Sequence, residues 1–494
     1  MKIVRHEREE AVSFEAVVRS TGGASMFDAR PPARADVVPP AERVIAAAAE
    51  LQRLGFRVRH TGTFSVSAEG PRSLWERVFQ TRVARQTHPA LGTTYLAHVA
   101  GEPFRLPASL QPLVERAYPQ RPPLYHDESA EAPTVEVVRA RPRRASHGAG
   151  ARRSVSPLPP RVAYPHLRVP DDVALVLRAT PLHEDGVTGR GVLVAMPDTG
   201  FYAQHPFYAW HGFHLRAVLA PDATAVEHDE YGHGTAEVAN VFAAARDADV
   251  VGVKMGDNPT LAWKTAVDLR PAVLSASWGY DLTGVDTLPN YLRPLEAAVV
   301  AAVRDEGIVV CFSAGNGQVS FPAMLPDVIA VGGVYATDPV GADDFALTAS
   351  DYASSFDSLI YPGRHVPDVC GLVGLPPKAV YLMLPCEPGD TIDGELAVGA
   401  YPDGDGTQDA DGWVAISGTS AAAPQVAGVC ALVRQVRPDL SPAAVKALLC
   451  AGARDVTQGR SAMGDRAGSG ADGATGAGLV DAAATVRLAR AARQ

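Results

Sequence analysis

The sequence predicts an α/β protein: a mostly parallel sheet with helices on both faces, preceded by a small α+β module. Three observations carry this. From about residue 169 to 494, short apolar β-branched runs alternate with Ala-rich helical runs. Residues 1 to about 118 mix strand-like alternation with amphipathic helical spacing. Between them, 119–168 is rich in Pro and Arg and reads as a linker. Strands that are apolar throughout and separated by helices belong to parallel sheets buried on both faces.

Taken in order, Ala11–Val18 reads as a strand. Ala41–Leu54 sets Val44, Ala48 and Leu51 on one helical stripe, and Gly55 ends it. Phe56–Ser67 alternates, with Phe56, Val58, Phe64 and Val66 apolar, which is strand-like. Ser73–Phe79 returns to helical spacing through Leu74, Val78 and Phe79, and Thr93–Val99 reads as a strand. The linker opens on Pro119, Pro122 and Pro123 and passes an acidic patch at Asp127, Glu128 and Glu131. Six arginines and no acid then fall within 139–153. A solvated, protease-sensitive segment fits this composition, and a nucleic-acid-binding arm is the alternative. Further on, the predicted strands are Val192–Met196, Val250–Val253, Val273–Ser277, Ile308–Phe312 and Val328–Val331.

Composition narrows the function classes. The chain has 494 residues, 47% hydrophobic and 20% charged, with a net charge of −10. That excludes a wholly disordered or collagen-like chain and gives no electrostatic case for a nucleic-acid partner. No apolar run approaches the ~18 residues of a membrane span, so no membrane partner is expected. Arg5, Glu7, Arg8, Glu9 and Glu10 interrupt the start, which predicts a cytoplasmic protein, with secretion by another route left open. The five cysteines fit no zinc spacing. They read as buried thiols, with a Cys370–Cys386 bridge the pairing the sequence leaves open.

Three motifs sit at strand ends or helix starts: Met196-Pro197-Asp198-Thr199-Gly200, Tyr231-Gly232-His233-Gly234-Thr235 and Ser417-Gly418-Thr419-Ser420-Ala421. Ligands of open α/β sheets bind at the carboxyl ends of the strands, where all three would converge. The residue types suit acyl transfer. A serine hydroxyl needs a base, an imidazole is the natural one near neutral pH, and a buried carboxylate fixes its tautomer. Ser420 at a helix N-terminus would bring free N–H groups to a developing oxyanion. Ser313-Ala314-Gly315-Asn316 follows a strand and offers an amide donor for the same purpose. Each motif alone is weak; the order Asp, His, Asn, Ser is specific.

On these residues the segment from about 170 to 487 resembles the subtilisin-like serine peptidase family, whose chain order is Asp–His–Ser. Ser275-Ala276-Ser277-Trp278-Gly279, Phe321-Pro322-Ala323 and Gly476-Ala477-Gly478-Leu479-Val480 extend the likeness. The resemblance implies Asp198 as the orienting acid, His233 as base, Ser420 as nucleophile and Asn316 as oxyanion donor. It implies that Ser277, Trp278 and Gly279, with Ser313, Ala314 and Gly315, wall a cleft that pairs a peptide or protein substrate as an added strand. It implies no cofactor for the chemistry, and Ca²⁺ as a structural ion. Asp403, Asp405, Asp409 and Asp411 are the acidic candidates for that ion, and a solvated loop is the alternative. Ala421 stands where typical members carry Met, and retention of His233 implies near-neutral activity. Gln318, where some members carry an acid, argues against a strong preference for Lys or Arg.

Thr63–Ala68 with Leu74–Phe79 resembles the ferredoxin-like α+β prodomains of sedolisin- and subtilisin-type peptidases. This implies a zymogen whose N-terminal module acts as an intramolecular inhibitor and is cut off within the linker. The alternatives are a permanent recognition domain on a dedicated intracellular leader-removing protease or peptide ligase, and a dead binding protein.

Overall fold

A computed structural model of the chain describes residues 9–28, 37–87, 94–99, 101–125, 155–162, 166–337, 346–374, 381–398 and 405–492. In the N-terminal module Ala11–Val18 is an interior strand of an antiparallel sheet ordered 57–61, 65–71, 11–18, 114–119. Helices Ala41–Arg53 and Arg72–Phe79 complete this unit. Alternation along the first strand decides its two faces. Val12, Phe14, Ala16 and Val18 join Leu51, Trp75 and Phe79 in the module's own core, where the Phe14 and Trp75 ring centres lie 4.9 Å apart. Glu15 and Val17 face the other way. Val17, Met26 and Phe64 pack on Ala297 and Ala301 of helix Arg293–Arg304.

The run 56–67 is not one strand. It breaks into Arg57–Thr61 and Ser65–Pro71, closed by the Gly62 N–H donating to the Ser65 carbonyl at 2.9 Å. Polar His60 and Thr61 and apolar Phe64 share a regular alternation, which hides the turn.

The large sheet runs in the order 214–219, 249–254, 193–198, 273–276, 309–313, 329–337, 346–349, with Val369–Leu372 also pairing to 329–337. All its pairings are parallel except the last, at Ala346–Ala349. Helices His233–Ala244 and Thr419–Val436 are buried along their lengths. They cross at Gly428, where an added Cβ would sit 2.6 Å from the Val241 carbonyl and 2.8 Å from the Ala244 methyl.

Both ends of the segment 119–168 pair with the large unit. Leu124–Tyr125 pairs antiparallel with Trp278–Asp281. His166–Arg168 pairs parallel with Tyr381–Met383, and the Trp413 indole N–H donates to the Ser156 carbonyl. The arginine run at 139–153 lies outside the described residues. Cys311, Cys370, Cys386 and Cys430 are buried thiols and Cys450 is a half-buried one, so the Cys370–Cys386 bridge is not formed. Among the described residues no helix is long and apolar enough to cross a membrane.

Candidate active site

Asp198 ends the strand Leu193–Asp198, and His233 opens the helix His233–Ala244. The His233 Nδ1 lies 2.7 Å from Asp198 Oδ1, with both side chains buried. The same carboxylate oxygen accepts the Thr199 N–H at 2.8 Å. The helix comes this close because residue 234 is glycine. A Cβ there would lie 2.3 Å from the Gly200 carbonyl and 2.9 Å from the Asp198 Cβ.

Asp229, which no sequence motif marks, ties into the same pair of turns. Its Oδ1 accepts from the Thr199 hydroxyl at 2.8 Å and the Gly232 N–H at 3.0 Å. Its Oδ2 accepts from the Thr235 N–H at 2.8 Å and hydroxyl at 2.7 Å. One buried carboxylate thus ties the turn after Asp198 to the turn before His233. Burial raises its pKa, and these donors oppose the shift. A buried acid four residues before a histidine has no periodic signature, so only its proximity to the motif could have flagged it.

Ser420 is the second residue of helix Thr419–Val436 and is fully buried. Its hydroxyl donates to the Ser277 carbonyl at 3.3 Å, and the Ser277 hydroxyl donates to the Ser420 carbonyl at 2.8 Å. Asn316 uses its amide oxygen on Thr419, accepting the N–H at 3.0 Å and the hydroxyl at 2.9 Å. Its amide nitrogen is therefore turned away from Thr419. The Thr419 hydroxyl also accepts the Gly315 N–H at 3.2 Å, and the Asn316 N–H donates to the Gln318 side chain at 2.6 Å.

Of the expected cleft walls, Ser277, Trp278, Ser313 and Ala314 are fully buried, and the Trp278 indole N–H donates to the Pro197 carbonyl at 2.9 Å. Gly279 is buried as well and pairs with Leu124, while Trp278 pairs with Tyr125. The Tyr125 ring centre lies 5.3 Å from the His233 ring and 5.7 Å from the Tyr231 ring. Tyr231 opens the His233 motif but carries no role in it, and Tyr125 goes unmarked because a two-residue pairing after a proline pair leaves no pattern.

The acidic stretch does not converge. Asp405 is buried and accepts from the Thr407 N–H and hydroxyl and the Ala415 N–H. Asp411 accepts from the Gln408 and Trp413 N–H groups, Asp409 is exposed, and Asp403 lies outside the described residues. Among the described residues no group of three or more His, Cys, Asp or Glu side chains is arranged to hold a metal ion. The carboxylates Asp405 and Asp411 act as turn acceptors, so the donors do not fit a calcium cage.

Comparisons with known proteins bear on the same segment. Serine protease AprX of Bacillus subtilis (strain 168) is 30% identical over 300 residues, which is 53% of this chain and 61% of that protein. Subtilisin BL of Lederbergia lenta is 27% identical over 276 residues, 54% of this chain and 84% of that one. Fervidolysin from Fervidobacterium pennivorans, described as a keratinolytic enzyme related to subtilisin, superimposes with a TM-score of 0.54 at 18% identity. That superposition covers 98% of this chain and 62% of fervidolysin and shows the shared fold. The subtilase family model matches residues 189–478, more than half of the chain and the whole stretch from Asp198 to Ser420. The chain belongs to the subtilase family of serine peptidases.

Proposed function

We propose that the protein is a serine endopeptidase made as a zymogen, with its N-terminal module as intramolecular inhibitor. The observation that carries this is the strand Leu124–Tyr125, which leaves the module and lies antiparallel on the edge next to Ser277, Ser420 and His233. A peptide substrate would bind the same edge in the same sense.

In this reading the Ser420 oxygen attacks a peptide carbonyl carbon while His233 takes the hydroxyl proton. The Asp198 carboxylate keeps Nδ1 protonated and stabilises the imidazolium that forms. The oxyanion receives the Asn316 amide N–H and the Ser420 backbone N–H at the helix start. Collapse of the tetrahedral intermediate breaks the C–N bond, and His233 returns the proton to the leaving amine. Water then attacks the acyl ester by the same path, releasing the acid and restoring Ser420. No step needs a metal or cofactor.

Intact mass over time at neutral pH tests the reading, with wild type beside Ser420→Ala. Cleavage shortly after Tyr125 in wild type alone, with fluorophosphonate labelling of Ser420, is the expected result. Labelling without cleavage would leave a peptidase carrying a permanent N-terminal domain. Absence of both, persisting after limited proteolysis between residues 126 and 154 releases the module, would end the peptidase reading.

A further inference from the structure

The described cleft already holds one peptide strand, and the side chain nearest the dyad is aromatic. We infer that Tyr231 and His233 form an aromatic subsite, so that this peptidase selects substrates with Tyr, Phe or Trp at the position opposite Trp278. The inference rests on the peptidase reading above.

Four observations support it. The Tyr125 ring contacts two others, at 5.7 Å and 32° from Tyr231 and at 5.3 Å and 54° from His233. These are tilted ring contacts in the separation range where aromatic pairs attract beyond simple burial. The Tyr231 backbone is fixed, because its carbonyl accepts the Ile392 N–H at 3.1 Å and the next residue but one is His233. Tyr231 is also half-buried against the main core, so its ring stands ready when the subsite is empty. Finally, burial, and after it the Asp198 and Asp229 carboxylates, push the Tyr125 phenol well above its ordinary range. The phenol therefore stays neutral next to the acids, and an acidic side chain in its place would be repelled.

The register fixes which substrate position this is. Tyr125 lies opposite Trp278, and the Ser420 hydroxyl reaches the carbonyl of Ser277, one residue earlier. A substrate in this register carries its acyl residue opposite Ser277. The selected aromatic is then the penultimate residue on the acyl side, with a residue like Leu124 before it, opposite Gly279.

The test uses the full chain in a Tyr125→Ala background, so that its own strand competes weakly. Two fluorogenic peptides are compared, Pro-Pro-Leu-Tyr-Ala and Pro-Pro-Leu-Ala-Ala amides, and the ratio of kcat/KM is the readout. Each enzyme is first titrated with a fluorophosphonate. The Tyr peptide is expected to be favoured about five- to tenfold, as two aromatic contacts would give. Adding Tyr231→Phe keeps the ratio, and adding Tyr231→Ala brings it close to one. A ratio near one before any change at 231, or one that Tyr231→Ala leaves intact, overturns the subsite while labelling upholds the peptidase. If no form labels, the peptidase reading falls and takes the subsite with it.

Discussion

Two seams meet at the cleft. The one between helices His233–Ala244 and Thr419–Val436 is lined mostly by small apolar residues that touch at Gly428, with one buried hydrogen bond from the Gln425 amide to the Asn240 amide oxygen, and its two helices carry His233 and Ser420. The other, between the N-terminal module and helices Pro259–Asp268 and Arg293–Arg304, joins a small apolar patch to a buried charge pair. There the Lys264 ammonium lies 2.6 Å from Glu15, 2.8 Å from the Ser65 hydroxyl and 3.0 Å from the Ser67 hydroxyl. Glu15 also accepts from Asn258, the residue capping the Lys264 helix, and Gln120 accepts from the Thr260 hydroxyl. Apolar contacts drive the first seam shut, and opening it would expose a core. The polar groups of the second seam regain water when it opens, so it suits a contact that is made once and later released.

The largest effect should come from breaking that second seam on one side. Lys264→Met leaves the Glu15 carboxylate buried without its cation, a loss of about 3–5 kcal/mol for a buried pair. Docking of the module weakens roughly 10²-fold or more. Fluorophosphonate labelling of the full chain accelerates accordingly, while the melting temperature of the subtilase unit stays put. Adding Glu15→Gln recovers part of the loss. An unchanged labelling rate would mean that the apolar patch on Ala297 and Ala301 holds the module by itself.

Acidity gives a smaller handle on the same contrast. Burial pushes Glu15 up, but the Lys264 charge and three hydrogen bonds outweigh it and hold the carboxyl below its ordinary 4.5. Its contribution is full above 4.5 and is lost as pH falls through the lowered value. Asp222 behaves oppositely. Burial, with Asp257 and the module's Glu69 adding like charge, raises it from 3.8 to about 6. Of these causes Glu69 belongs to the module and disappears when it leaves, so docking adds a small cost as pH rises from 3.8 to about 6. Asp257 is raised as well, by burial and then by Glu69 and Glu10. Glu69 is partly neutralised by Arg59 at 2.5 Å and Glu10 by Arg85 at 3.0 Å. Docking should be tightest near pH 5 and weaker at pH 8. Hydrogen exchange of Ala11–Val18 in the Ser420→Ala chain, corrected for intrinsic rates, reads this directly. Asp222→Asn flattens the difference; an equal difference in that variant would move the cause elsewhere.

The contrast also explains what the sequence made legible. The Asp198, His233, Asn316 and Ser420 motifs stand out because each chemistry needs its small neighbours within a few residues. The strands around 193–198, 250–253, 273–276 and 309–313 stand out because both faces are buried and the run is apolar throughout. The second seam is illegible for the opposite reason. Glu15 alternates with Phe14 and Ala16, and alternation says only that it faces away from the module's core. Whether water or Lys264 covers that face depends on a residue 249 positions away. Tyr125, Tyr231 and Asp229 are hidden likewise, since their partners come from turns and strand edges that no local period marks.

At the cleft end of helix Thr419–Val436 a polar contact to the turn after strand Val309–Ser313 should give the smallest of these effects. Thr419 opens the Ser420 helix, and its hydroxyl donates to the Asn316 amide oxygen at 2.9 Å while accepting the Gly315 N–H at 3.2 Å. Thr419 is a positioning residue: it holds the amide so that its nitrogen faces the other way. Thr419→Ala removes one of the buried hydrogen bonds that Thr419 gives the Asn316 amide oxygen, about 1 kcal/mol, and leaves the Gly315 N–H without that acceptor. The Thr419 backbone N–H still donates to the same oxygen at 3.0 Å, so orientation is loosened and not lost. Because Asn316 would act on charge that develops in the transition state, kcat should fall about fivefold with KM nearly unchanged. Thr419→Ser keeps the hydroxyl and should restore most of the rate. A rise in KM with kcat intact would assign Thr419 to ground-state binding, and Asn316 would then not depend on this hydroxyl for its orientation towards the oxyanion.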